Sequence, residues 1–228
     1  MVAGAGYGIH RLSSRSSDAA STGPTASIPP SPQAAVGKVA LSAIPVTPDE
    51  LPGWQVSPPS ADTSSDVESD KKLAKCMGVK YSARLTGAMA EADYRLGPYL
   101  VTSQAQRMRH SDVAADVAML DNPKFRSCFR KPLRREFGEA IPGARFNSSR
   151  LQITSRAPGA PANVVGVISL QVAFAANGQT RMMYFDSALI AGRRIESQLV
   201  FIGVDSPVDG EIQAQLIAAV AGRTAAAE

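Results

Sequence analysis

The sequence predicts an α+β domain in which an antiparallel meander sheet packs with helices on both faces, preceded by a disordered N-terminal tail. Three observations carry that expectation. Asn177-Gly178 lies between two long apolar-rich runs, "VVGVISLQVAFA" and "QTRMMYFDSALI", and is the strongest short-range hairpin signal a sequence offers. The next run, "RRIESQLVFIGV", carries Leu199 and Phe201 on one parity and Val200 and Ile202 on the other, so a strand there needs cover on both faces. The chain then closes on "SPVDGEIQAQLIAAVAGR", a capped segment with apolar residues at helical spacing. With 228 residues, 44% apolar and 19% charged, there is material for one substantial core and a tail, not for two full domains.

The tail comes first in the chain. "RLSSRSSDAASTGPTASIPPSPQAAVG" is Ser, Thr, Ala and Pro with almost no branched apolar side chain, and cannot bury enough surface to offset the entropy of ordering it. Residues 1–40 are therefore expected to be a disordered linker or stalk and residues 41–228 a single α+β domain. Ahead of the linker the apolar run Val2 to Ile9 stops at His10 and Arg11. It is shorter than the ~20 residues a membrane helix needs and lacks the charged start of a signal peptide. It reads either as an ordinary flexible terminus or as the end of a membrane segment beginning upstream of Met1. "GAGYGIH" follows no strand and precedes no helix, which rules out a dinucleotide loop.

Within the domain, Leu51, Trp54 and Val56 form an apolar anchor in a Pro-rich turn region, with the sole tryptophan expected to be a lid on the core. "SSDVESDKKLAKCMGVKY" predicts a helix capped by Ser65, with Asp66 and Glu68 in its first turn, Lys71, Lys72 and Lys75 in its last, and Gly78 ending it. Its expected buried stripe is Val67, Leu73, Cys76 and Met77. The stretch Tyr94 to Arg109 reads as a strand in its later half. A short helix follows, capped by Ser111, with Val113, Val117 and Leu120 inward. In "DNPKFRSCFRKPLRREFGEA", Asn122 caps and Pro123 takes the first helical position. Phe125, Cys128, Phe129 and Pro132 share one arc of that helix, while Lys124, Arg126, Arg130, Lys131, Arg134 and Arg135 fan over the rest. So wide a spread describes a solvated face, not a recognition helix, and sequence-specific nucleic-acid binding is not expected.

The hairpin around Asn177-Gly178 pairs Val172 with Met183, Leu170 with Phe185 and Gly166 with Leu189 on one face if its loop has two residues. Gln171/Tyr184 and Ser169/Asp186 then share the other. A turn at Ala191-Gly192 leads into the third strand, and Leu151 to Ser155 supplies a further one. The closing helix starts at a capping-box-like Ser206 and Asp209 with Pro207 between them, and buries Ile212, Leu216, Ala219 and Val220.

Charge and cysteines bound the function. The first 70 residues carry three basic side chains against seven acids, and the rest 21 against 13, so the folded part is basic and suits anionic partners in general. Cys76 and Cys128 are either two reduced core residues or one disulfide between helices. The spacing offers no zinc site and no Cys-x-x-Cys. The stalk-like tail favours the disulfide, and with it an oxidising, extracytoplasmic compartment.

"ELPGWQ", "KKLAKCMGV", "DNPKFRSCF" and "YFDSALIAGRRIESQLVFIGVDSPVDGEI" resemble the landmarks of actinobacterial extracytoplasmic domains of uncharacterised function, lipoprotein-like or membrane-anchored. The resemblance runs from about Leu51 to Arg223, and the late meander with its closing helix also resembles the fold shared by PsbP and Mog1 proteins. It implies a non-enzymatic cell-envelope domain and carries no catalytic residue over. The chain departs from the lipoprotein type in lacking an N-terminal lipobox cysteine.

No catalytic, cofactor-binding or metal-binding set is expected. His10 lies in the tail, and His110, Ser111 and Asp112 are adjacent, so they cannot converge on one substrate atom as a triad must. Glu136, Glu139, Asp186, Glu196 and Asp205 are the carboxylates open to acid/base work, and no spacing ties any two together. Three functions remain: an envelope binding or accessory domain for an apolar or anionic small molecule or an envelope protein; a structural or adaptor module of a membrane complex; and a hydrolase using carboxylate chemistry. A cavity lined by Met182, Tyr184, Leu199 and Phe201 would favour the first, and a fully packed interior with an exposed apolar patch the second.

Overall fold

A computed structural model describes residues 40–57, 67–80, 88–130, 145–146, 152–154, 159–176 and 178–227. Residues 1–39 of the tail expected over 1–40, Ser65, Asn177 and the basic residues from Lys131 to Arg135 lie outside them. The fold is α+β. One antiparallel sheet holds β1 (Gln55–Ser57), β2 (Met89–Leu96), β3 (Tyr99–Arg107), β4 (Arg145–Phe146), β5 (Gln152–Thr154), β6 (Val164–Ala176), β7 (Gln179–Ala191) and β8 (Ile195–Val204), in the order β1-β2-β3-β8-β7-β6-β4, with β5 also on β6. Helices α1 (Val67–Met77), α2 (His110–Leu120) and α3 (helical over 125–130) cover one face, here called the cystine face. Helix α4 (Gly210–Ala226) and a strap over 40–54 cover the other, the clamp face.

The long hairpin has the register that two turn residues impose: Ala176 faces Gln179, Val172 faces Met183, Leu170 faces Phe185 and Gly166 faces Leu189, while Gln171/Tyr184 and Ser169/Asp186 pair on the opposite side. Gly178 adopts φ +74°, the left-handed conformation that such a turn requires. β8 is buried at nine of its ten positions because β3 and β7 flank it and helices press on both sides. Its two parities feed separate cores. Val200 and Ile202 join Leu100, Leu170, Val172, Met183, Phe185 and the helix residues Leu73, Met77, Phe125 and Phe129, whereas Leu199 and Phe201 join Ile44, Tyr94, Val101, Ile190, Leu216 and Val220.

Several local expectations are corrected. The later half of the stretch from Tyr94 to Arg109 is the strand β3, as expected, but its first residues belong to a strand that was not expected: β2 begins at Met89 and turns at Gly97-Pro98, where Gly97 at φ +55° lets Leu96 face Tyr99 across two residues. The Pro-rich anchor region contributes the edge strand β1. Neither was visible as periodicity, since β2 is mostly half-buried and β1 is short and mostly exposed. Ser111 does not cap α2; the helix begins at His110, and Arg109 reaches the Asp112 carboxylate at 2.8 Å in its first turn. Asp209 alone caps α4, accepting from the amides of Glu211 and Ile212, while the Ser206 hydroxyl lies 2.7 Å from that of Tyr99. The stripe of α4 extends toward its end: Leu216 and Val220 are buried as expected and are joined by Ala221 and Thr224, Ile212 is half-buried against the same core, and Ala219 and Val117 are only half-buried.

The clamp face is locked by hydrogen bonds. Arg223 donates to the carbonyls of Ile44 and Pro45 and holds both oxygens of Glu50 at 2.7 and 3.0 Å, and Glu50 also accepts from the Thr47 amide. Burial works against the Glu50 charge, but the bonds from Arg223 and Thr47 outweigh it and hold its carboxyl below the usual glutamate value. Tyr94 donates to the Val46 carbonyl, and burial together with the nearby Glu50 charge pushes its phenol up. The Val46 amide in turn donates to Ser103. Trp54 is half-buried over this core with its ring 6.4 Å from that of Tyr99, as a lid would be.

Candidate functional site

The packing of the cystine face is breached beneath α2 and α3. Met119, Leu120 and Asp116 come from α2, Phe125 and Phe129 from α3, Gly166 and Ile168 from β6, Ser187 and Leu189 from β7, and Gln198 from β8. These residues enclose a cavity of about 30 Å³, room for about two water molecules. Phe125 and Phe129 are one helical turn apart and stack at 5.1 Å, forming an aromatic wall. Gly166 permits the roof to come down: a Cβ there would lie 2.5 Å from Leu120 Cδ1.

The floor is polar. Gln198 and Gln104 face each other across β8 and β3, and Gln104 donates to Gln198 at 3.0 Å while Gln198 donates to Ser187 at 2.9 Å. This chain of amides and a hydroxyl interrupts an apolar face, since two positions further along β8 carries Val200 and β7 carries Leu189. The surrounding face is also unusually acidic for an interior: Asp93, Asp112, Asp116 and Glu196 are all at most 5% exposed. Their register, or their place on α2, puts them on the cystine side.

Above this floor α1 and α3 are joined by the Cys76–Cys128 disulfide, which closes 52 residues. The two cysteines are not equivalent. Cys128 is buried beside the two phenylalanines, but Cys76 is exposed, and the stripe of α1 is Leu73, Ala74 and Met77. The expectation that Cys76 lies on that stripe is corrected: its neighbours Ala74 and Met77 make the contact, and the sulfur bridges outward across the top of the layer.

The cavity is on the opposite side from the one the sequence suggests. Leu199 and Phe201 point into the clamp-face core, Met182 and Tyr184 are half-buried on the same parity, and none of the four lines the cavity. The reason is the two-residue period of a strand: Gln198 and Leu199, adjacent in sequence, face opposite layers. Polar residues embedded in bulky strands, Gln198 above all, and a glycine in an otherwise branched strand were the available signals.

The titratable candidates do not converge. His110 is exposed at the start of α2 with Nδ1 3.0 Å from the Arg193 carbonyl, Ser111 is exposed, and the Asp112 carboxylate belongs to Arg109. Asp186 meets Gln213 on the clamp face, Glu196 is buried on the other, and Asp205 pairs with Arg181 at the far end of the sheet. Glu136 and Glu139 lie outside the described residues. Among the described residues no group of three or more His, Cys, Asp or Glu could hold a metal ion, and no helix is long and apolar enough to cross a membrane.

The fold and cavity define a class, a three-layer α+β domain stapled across one helical layer and clamped across the other. No family model matches the chain, and no curated protein matches it. Among solved structures the chain is similar to the extracellular domain of PknH from Mycobacterium tuberculosis, at 11% identity and a TM-score of 0.41, over 82% of this chain and 97% of that one.

Proposed function

We propose that this chain is the folded part of an extracytoplasmic cell-envelope protein and acts as a non-enzymatic binding or accessory domain, with its site between the sheet and the α2–α3 layer. The observation that supports the site is the polar floor beneath an apolar roof: Gln198, Ser187 and Asp116 converge under Leu120, Phe125 and Phe129, the combination by which binding pockets orient a ligand. The disulfide supports the compartment, since such bonds persist where the medium is oxidising. The resemblance to actinobacterial envelope domains and the basic folded part fit the same reading. The PsbP/Mog1-like kinship rests on β6, β7, β8 and α4 and belongs to this proposal.

At about 30 Å³ the space admits a small group only, so a metabolite-sized apolar or anionic ligand enters by lifting α2 and α3 from the sheet. Native mass spectrometry of protein purified from its own host tests this. A retained small molecule, lost in a Gln198→Leu variant, is the expected result. Protein that carries no added mass and gains no thermal stability from host lipid or metabolite extracts would overturn it.

A second reading, an adaptor within a membrane complex, is favoured by one observation. Val56 and Leu96 are 60% and 46% exposed beside half-buried Trp54 at the β1 edge of the sheet, a place where apolar surface attracts another protein. Crosslinking from position 56 in the host separates the two readings.

A further inference from the structure

The end of the sheet where β3 finishes and β8 begins sorts its charges by depth. Arg107 and Arg109 leave β3 there, and Arg193 and Arg194 form the turn into β8. Arg107 pairs in register with Ile195, the Met108 amide donates to the Arg194 carbonyl at 2.8 Å, and His110 Nδ1 lies 3.0 Å from the Arg193 carbonyl. The two backbone segments are thus one strand spacing apart, and all four arginines and His110 are exposed. The carboxylates of the same segments, Asp112 and Glu196, are 5% and 1% exposed. Arg109 is held by Asp112 at 2.8 Å, while Arg107, Arg193 and Arg194 are exposed beside it, which leaves this end of the molecule positive at its surface.

Two further features sit here. Met89, the first residue of β2, is 38% exposed beside the Ala88 carbonyl that accepts the Arg107 amide. The strap reaches Ser103 at mid-sheet by Val46 and Tyr99 at the opposite end by Trp54, so it runs away from the arginine side toward Trp54. The geometry points to this end as a docking surface for an anionic phospholipid membrane. Exposed arginines beside one exposed thioether match the headgroup layer of a bilayer. A polynucleotide would want a groove or aromatic side chains to stack on, and the described residues of this end supply neither.

The full chain is tested by flotation with phosphatidylcholine vesicles with and without phosphatidylglycerol. Binding is expected only to the anionic vesicles and is weakened by salt, because exposed charges are screened. Each basic side chain near such a surface strengthens partition by about fivefold, so the triple variant Arg107→Ser/Arg193→Ser/Arg194→Ser should lose on the order of a hundredfold while melting like the parent. Lys71→Ser/Lys72→Ser/Lys124→Ser removes the same charge from exposed positions on α1 and just before α3 and should lose far less. Equal loss in both variants, no binding to anionic vesicles, or tighter binding of duplex DNA through the same arginines would each overturn the assignment.

Discussion

The two faces of the sheet are built differently. The clamp face is covered by the closing helix and the entry strap, is filled by Phe201, Leu199, Tyr94, Ile190 and Val220, and is tied by Arg223 to Glu50 and two carbonyls. The cystine face is covered by three separate helices, is apolar over only part of its area, and elsewhere carries a hydrogen-bonded Gln104–Gln198–Ser187 floor, buried acids and a cavity. One covalent bond holds its outer layer where the other face uses a network of weak ones. A single β8 strand serves both, so the same backbone carries a layer optimised for packing and a layer that keeps polar groups inside. Charged groups in an interior are retained at a cost in stability, and the four carboxylates that are at most 5% exposed, Asp93, Asp112, Asp116 and Glu196, all lie on the cystine face, whereas the polar residues buried on the clamp face are the hydroxyl-bearing Ser103, Ser197 and Thr224.

That contrast is open to test, beginning with the substitution expected to destabilise most. Phe201→Ala, in the clamp-face core, is expected to cost about 3–5 kcal/mol, read as a shift in chemical denaturation midpoint without a change in slope. A loss below about 1 kcal/mol would mean that this face is not the better packed one.

On the cystine face the matching experiment is the staple. In the chain-entropy picture a loop of 52 residues closed by a disulfide contributes about 4 kcal/mol. Cys76→Ser and Cys128→Ser should each lower stability by a similar amount, and the double variant should add little, because both remove one bond. Should the double variant lose the sum of the two, the cysteines would be acting through separate contacts. Since Cys76 is exposed and Cys128 buried, alkylation after reduction should reach Cys76 first.

A pair of glycines sharpens the comparison further. At Gly203, where the sheet ends and the chain bends to α4, a Cβ would run into the Ser206 backbone carbonyl, so Gly203→Ala should cost about 2–3 kcal/mol by forcing the corner open. At Gly166 the obstructing atom is the end of the Leu120 side chain, which borders the cavity. Gly166→Ala should therefore change stability by less than about 1 kcal/mol and move Leu120 into the empty space, a result visible as altered Leu120 methyl shifts.

The clamp also makes stability depend on pH. Glu50 has its folded pKa lowered, so its contribution is present above the ordinary glutamate value of 4.5 and is lost as pH falls through the folded value. Glu50→Gln should cost about 1–2 kcal/mol at neutral pH and much less in acid, where the parent carboxyl is also protonated. A difference between the two proteins that is the same at pH 7 and at the acid end of the folded range would contradict that role.

How much of this is readable from the sequence varies with the physics involved. The long hairpin is legible from its turn back to Gly166 and Leu189, because a two-residue Asn-Gly turn leaves a single register that strand alternation carries along both strands; beyond that a bulge between Val164 and Gly166 sets Val164 against Ile190 and into the clamp-face core. The double burial of β8 is legible for the same reason, and the Phe125, Cys128, Phe129 arc follows from helical spacing. Where two local signals compete, only packing chooses. Ser111 and Arg109 offer rival starts for α2, and the Asp112 ion pair selects the latter; Ser206 and Asp209 offer rival caps for α4, and Tyr99 draws Ser206 away. β1 and β2 have no inward periodicity of their own and become strands because β3 offers β2 an edge and β2 then offers one to β1.

The candidate site divides in the same way. Sequence alone supplied the turn, the two strand parities, the two cysteines and the excess of basic residues, all of them consequences of short-range geometry or of counting. Which face would hold the cavity, that Gln198 and not Phe201 would border it, that Cys76 would stand exposed while Cys128 is buried, and that Arg107, Arg109, Arg193 and Arg194 would meet at one end were decided by tertiary structure. Each depends on segments separated by tens of residues and brought together only when the sheet is assembled, and a strand's local sequence cannot say which of its two faces will meet the tighter layer.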